Sequence, residues 1–314
     1  MNYDIKIVGE DEDNGKIEFD RLALLTKSTK DIATKALMLQ LRGYSDIAPD
    51  KHLKKALHMF LENIVGDENE GTSLTIDCKH FSETIKGVQL DAFRPKEEVL
   101  ELTPMALVIR SFHAALDEEN SNIDIDKPLL RSLVNFKKNF ISDNEIFYLA
   151  NRGSIAEVKL TKDIFKKIEV LEESIPEPQN VVIKGKLDEM KISKGRVGLL
   201  TEEKKLINLM SKIDSDINDL LGFMGNEITV RGKAHYKPNG ELSFVEIQDY
   251  NTPQEADKYF TSIPVAKNVQ QQLFNVAKTK AKNNSFNALK GLSGLLKDEI
   301  SDGQFEEMLK DTHL

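Results

Sequence analysis

Six histidines, one cysteine and a few closely spaced carboxylates are the side chains here that could carry catalytic or metal chemistry. The histidines are His52, His58, His80, His113, His235 and His313, and none stands in a His-Glu-x-x-His or similar metal-ligand spacing. His52 and His58 are six apart, which would put them on different faces of a helix. The stretch "DEDNG" has the look of a calcium loop. However, Glu10 and Glu12 hold its first two ligand positions, and Arg21 falls where the bidentate glutamate belongs. A polar hairpin turn is the better reading. Asp124 and Asp126 could share a magnesium ion, but no third ligand or lysine-based phosphate motif accompanies them. Asp126, one residue before an expected helix, reads better as a cap. Cys78 lies in a strand pattern and reads as a packed, inert thiol. There is neither a glycine-rich phosphate loop nor a nucleophile elbow. The expectation is a protein without a catalytic site, a cofactor or a metal.

The totals bound the rest. The chain has 314 residues, 40 % of them apolar and 30 % charged, enough for about two ordinary globular domains. A net charge of −9 argues against strong non-specific binding to nucleic acid or acidic membranes. The start "MNYDIKIVGEDED" lacks the basic and apolar regions of a signal peptide. The longest wholly apolar run near mid-chain is Met105 to Ile109, far short of a membrane span. A soluble, cytoplasmic protein with a reduced thiol is expected.

Stepping along the chain, residues 1–173 read as an α+β domain. Tyr3, Ile5 and Ile7 alternate as in a half-buried strand, and Asn14-Gly15 signals a hairpin. A helix should start at Asp20 as cap, run with Leu24, Leu25, Ile32, Ala36 and Leu39 on its apolar stripe, and stop at Gly43. "KKALHMFLENIVG" fits either a helix or a strand, and "GTSLTIDCKHF" fits a strand. Residues 96–116 should be helical, with Pro104 either kinking the helix or opening it. A second helix should cover 128–140. A hairpin turning at Arg152-Gly153-Ser154 and a helix capped by Thr161 complete the domain. Two prolines in "SIPEPQN" mark 174–180 as a linker.

Residues 181–252 show three strands, a short helix from Asp214 or Asp216 to Gly225, and two more strands. That order resembles the small OB-type barrel. Gly185 and Gly232 fall mid-strand, where a tight barrel must bend. Residues 180–250 hold eleven basic and eleven acidic side chains. Even so, Lys184, Lys186, Arg231 and Lys233 should point outward from neighbouring strands as one basic patch, a candidate nucleic-acid site. The usual binding face, "GRVGLLTEEKKL", holds no aromatic residue to stack a base.

The last sixty residues change character. Residues 258–284 carry five lysines and no acid, and are expected to be a basic helical connector spanning 253–284. Residues 285–314 carry three lysines and six acids. Phe286, Leu289, Leu292, Leu295 and Leu296 recur at three- and four-residue spacing, although Gly291 and Gly294 weaken a free helix. Ser301 and Gln304 have capping-box spacing, and Phe305, Met308 and Leu309 share one face of the stretch that follows. A helix of about ten residues is too short to persist alone and needs a surface. That surface could be its own domain, a twin subunit in a homodimer, or another protein.

The apolar Leu-Gly cluster followed by "LKDEISDGQFEEMLKD" resembles the toxin-wrapping tails of bacterial antitoxins, notably the partners of PIN-type toxin ribonucleases. In that family the tail fills the toxin's groove and blocks its active site, while the N-terminal part dimerises or binds operator DNA. The resemblance implies a protein partner, a PIN-type toxin among the candidates, with Leu292, Leu295, Leu296, Phe305, Met308 and Leu309 as anchors. Glu306, Glu307 and Asp311 would meet basic residues on it. The expected fold class is thus α+β: a mixed helix-and-sheet domain, a five-stranded OB-like barrel and a helical tail. The alternative function is OB-type nucleic-acid binding in bacterial defence or DNA maintenance.

Overall fold

The computed structural model describes residues 1–9, 14–67, 71–85, 97–117, 125–151, 155–191, 196–211, 219–237 and 240–266. The chain divides into two units, Met1–Pro264 and Val265–Leu314. Every element below belongs to the first.

Strand β1 (Asn2–Val8) is the middle of a five-stranded antiparallel sheet. The others are β2 (Met59–Asp67), β3 (Gly71–Cys78), β4 (Ile146–Asn151) and β5 (Val158–Thr161), in the order β2-β3-β1-β4-β5. Tyr3, Ile5 and Ile7 are buried, as the alternation requires. The hairpin expected at Asn14-Gly15 does not form: the next element after it is a helix, and β1 pairs instead with β3 and β4. Gly15 does turn there, at φ +82, and its N–H donates to Thr72 Oγ1. The ambiguous stretch divides between the end of a short helix, Lys51–Ala56 (α2 in chain order), and β2.

Helix α1 (Phe19–Arg42) buries Leu25, Ile32, Ala33, Ala36, Leu37 and Leu41. Leu24, expected on the buried stripe, is 37 % exposed. Glu18 rather than Asp20 is the cap: its carboxylate accepts from the Arg21 N–H at 2.9 Å. Gly43 ends the helix in the left-handed region at φ 75, where a side chain would be strained. Two short helices, α3 (Phe81–Thr84) and α4 (Glu97–Leu100), precede α5 (Pro104–Leu116). Pro104 opens α5 rather than kinking it, because Thr103 caps the helix by accepting from the Ala106 N–H. Helix α6 (Lys127–Asn135) starts at the Asp126 cap, and α7 (Phe165–Ser174) follows β5. Thr161 makes no capping hydrogen bond; a 3-10 turn, Lys162–Ile164, stands between it and α7. These helices and the sheet share one core, in which Phe112, Phe136, Phe147 and Phe165 are fully buried.

Residues 174–180 run from the end of α7 into β6 (Gln179–Lys191), which starts two residues before 181. Ile175 within this stretch is buried, and Lys127 Nζ donates to its carbonyl at 2.7 Å. With β7 (Arg196–Leu200), β8 (Leu206–Met210), β9 (Glu227–Tyr236) and β10 (Leu242–Asn251), β6 closes a five-stranded barrel in the order β10-β8-β7-β6-β9. Strands β8 and β10 run parallel, and every other pair is antiparallel. This closed barrel fits the OB-type expectation. Ile183, Leu187, Val197, Leu199, Leu209, Ile228, Val230 and Val245 fill it. The two mid-strand glycines are explained by close approach. A Cβ would lie 2.7 Å from the Leu200 carbonyl oxygen at Gly185, and 2.2 Å from that of Glu246 at Gly232. The helix expected to end at Gly225 is described only from Asp219 onward and closes as a 3-10 turn, Leu221–Phe223, with Gly225 at φ +81. Its proposed starts, Asp214 and Asp216, lie outside the described residues.

The helix-and-sheet part meets the barrel at the turn that ends α1. Tyr44 packs edge-on against His235 at 4.8 Å and against Phe244 at 5.0 Å, and His235 stacks on Phe244 at 4.5 Å. Met210 and Ile47 complete this small buried cluster. The next residue, Ser45, donates both its N–H and its hydroxyl to Asp126, tying the turn to the start of α6.

Candidate binding surface on the barrel

Along β6 the inward side chains are Ile183 and Leu187, so Lys184 and Lys186 alternate outward. Along β9 the inward side chains are Ile228, Val230 and Ala234, which leaves Thr229, Arg231 and Lys233 facing outward. The two strands are antiparallel neighbours, with Lys186 opposite Glu227, Lys184 opposite Thr229, Val182 opposite Arg231 and Asn180 opposite Lys233. All four expected basic residues therefore lie on one wall of the barrel.

They are not equivalent. Lys184 is mostly covered and pairs with Glu227 at 3.1 Å, with Glu202 further off at 3.9 Å. Lys186, Arg231 and Lys233 are exposed. Across the next strand boundary Arg231 stands opposite Asp249, and Lys233 opposite Glu246. Acidic neighbours thus temper the wall's positive charge.

The wall also carries a feature that strand periodicity did not reveal. After β10 the chain forms a 3-10 turn, Glu255–Tyr259, closed by a capping box between Gln254 and Asp257. Asp257 Oδ2 accepts from Thr229 Oγ1 at 2.9 Å and from the Gln254 N–H at 2.8 Å. These bonds, first that of Gln254, hold the Asp257 carboxyl below the usual carboxylate range, and Arg231 and Lys184 add to the effect. The Phe260 carbonyl accepts from the Lys184 N–H. Residues 254–260 therefore form a strap tied to both β9 and β6. The expected basic connector begins here with two acids, Glu255 and Asp257. The pairing of Gln254 with an acid three residues on was the one signal available for it.

The outward positions of β7 and β8 include Gly198, Leu200, Leu206 and Asn208, none of them aromatic, as the sequence indicated. Leu292, Leu295, Leu296, Phe305, Glu306, Glu307, Met308, Leu309 and Asp311 all lie outside the described residues, as do Asp124, Glu10 and Glu12.

The other chemical candidates have structural places. Cys78 is fully buried, and burial pushes its thiol up to about 12, leaving it protonated. Asp126 caps α6 and holds Ser45. His80 Nδ1 lies 2.7 Å from the Glu101 carbonyl oxygen, His113 Nε2 2.9 Å from that of Ala156, and His235 Nε2 3.2 Å from Glu246 Oε2. Among the described residues no three His, Cys, Asp or Glu side chains converge as a metal site, and no helix is long and apolar enough to cross a membrane. No family model, no curated protein and no solved structure matches this chain.

Proposed function

We propose that this is a non-enzymatic binding protein whose C-terminal segment, residues 285–314, captures and inhibits a protein partner in the manner of an antitoxin. The observation that carries this reading is the division of the chain at Pro264. The sheet part and the barrel fill their cores with described apolar residues no later than Ile247. The segment beyond Pro264 belongs to a different unit, and its sequence carries the apolar spacing and the acidic residues expected of a helix that docks in a groove. A PIN-type ribonuclease is the partner that the tail's resemblance suggests, with Glu306, Glu307 and Asp311 against its basic residues. The test is truncation after residue 284. The shortened chain should melt within a few degrees of the full chain and fail to inhibit a ribonuclease that the full chain blocks. A truncated protein that aggregates, or one that still inhibits, would remove the proposal.

The barrel supports a second reading, an OB-type module for nucleic acid. What favours it is the convergence of Lys186, Arg231 and Lys233 on one wall. Charge reversal at Arg231 and Lys233 should weaken oligonucleotide binding and flatten its dependence on salt.

A further inference from the structure

We propose that the strap at residues 254–260 and the outer wall of β6 and β9 together form a platform for single-stranded nucleic acid. In it, bases stack on Tyr259 and Phe260 while phosphates meet Lys186, Arg231 and Lys233. The inference rests on the second reading above and supplies what that reading lacked. The conventional face over β7 and β8 offers no ring on which a base could stack.

The strap brings rings to the basic wall instead. Tyr259 is 76 % exposed and Phe260 39 % exposed. A lone exposed aromatic residue is ordinary, but here two exposed aromatic residues are adjacent on a strap bonded to the wall that carries three exposed cations. The strap is also held in place. Asp257 is 7 % exposed and is committed to Thr229 and Gln254, and the Phe260 carbonyl is committed to Lys184. Its anchor row, Lys184 opposite Thr229, is flanked by the Lys186 row on one side and the Arg231 row on the other. The strap that carries the rings is thus anchored between cation rows on both sides. Arg231 and Lys233, two residues apart on one strand, sit about 7 Å apart along it. Rings on an anchored strap, on a wall with separated positive charges, suit a flexible single strand, whose unpaired bases present free faces. In duplex DNA those faces are already stacked. The contacts are to ring faces and phosphates, so little sequence preference is expected.

The experiment uses the full chain with labelled oligo-dT and oligo-rU of about 15 nucleotides, within the footprint of one barrel, and a duplex of equal length. Fluorescence anisotropy is read at several salt concentrations. Binding of a single strand in preference to the duplex is expected, and the two oligonucleotides separate a DNA from an RNA ligand. Tyr259→Ala should weaken binding roughly 5- to 150-fold, the range for losing one stacked base, with the salt slope unchanged. Tyr259→Phe should bind as the wild type does. Arg231→Glu with Lys233→Glu should lower both affinity and slope. If the charge variant loses binding but Tyr259→Ala and Phe260→Ala do not, the basic wall stands and the stacking platform is overturned. If the wild type binds no oligonucleotide at low salt, both fall.

Discussion

Asp126 shows at the scale of one residue how much structure a single carboxylate can tie together. Its carboxylate accepts from the Ser45 N–H and hydroxyl and from the Leu129 N–H, so it caps α6 and pins the turn after α1. Burial raises its carboxyl above the ordinary carboxylate range, and these hydrogen bonds only partly counter that. A native value above the unfolded one means the folded state holds the proton more tightly. The stabilisation from this group is complete below the unfolded carboxylate value and is lost as pH rises through the raised native value. Asp126→Asn removes that titration. Urea midpoints taken from pH 7 downward should show the wild type gaining on the variant as acid is added through that window. A constant difference across it would mean that Asp126 titrates no differently in the folded chain. The role of Asp126 as a cap was readable from its place before an apolar helix. Its bond to Ser45 was not, because 81 residues separate the two.

At the scale of elements, local pattern and long-range pairing part company. The strands of the barrel were legible because each alternates on its own, and α5 was legible because an apolar stretch follows Thr-Pro. The false hairpin at Asn14-Gly15 has the opposite cause. The turn chemistry is present, but β1 takes its partners from residues 72–77 and 146–151, and no local signal records that choice. The strap was missed for a related reason, since the bonds that tie it to the barrel reach Thr229 and Lys184, far from it in sequence. Thr103 sits where both kinds of information meet. Fully buried, it caps α5 locally and donates its hydroxyl to the Tyr3 hydroxyl of β1 at 2.7 Å. Thr103→Ala loses a cap, about 1 kcal/mol, and leaves a buried tyrosine hydroxyl with one partner fewer. A loss of about 1–2 kcal/mol in urea unfolding is expected, with Thr103→Ser recovering most of it. A serine variant as weak as the alanine one would show that the methyl group, not the hydroxyl, matters.

At the scale of the whole unit, the question is what makes a helix-backed sheet and a closed barrel behave as one body. The ring cluster of Tyr44, His235 and Phe244 is a packed contact between them, to which the sheet part contributes the Tyr44 ring. Tyr44 is 4 % exposed, so its truncation removes a buried aromatic body and two edge-on contacts. Such a change costs about 3–5 kcal/mol where the cavity cannot collapse. The cost falls on the junction, since Tyr44 belongs to a buried cluster separate from the one that holds the sheet's phenylalanines. The wild type should therefore unfold in a single calorimetric transition that couples the two parts. Tyr44→Ala should resolve into two transitions, with the calorimetric enthalpy exceeding the van't Hoff value. Far-ultraviolet signal should persist through the first of them. A single transition, merely displaced to lower temperature, would mean that other ties carry the coupling. The Lys127 and Arg131 bonds to Glu172 and Glu177 beside the connecting segment would be the next to test.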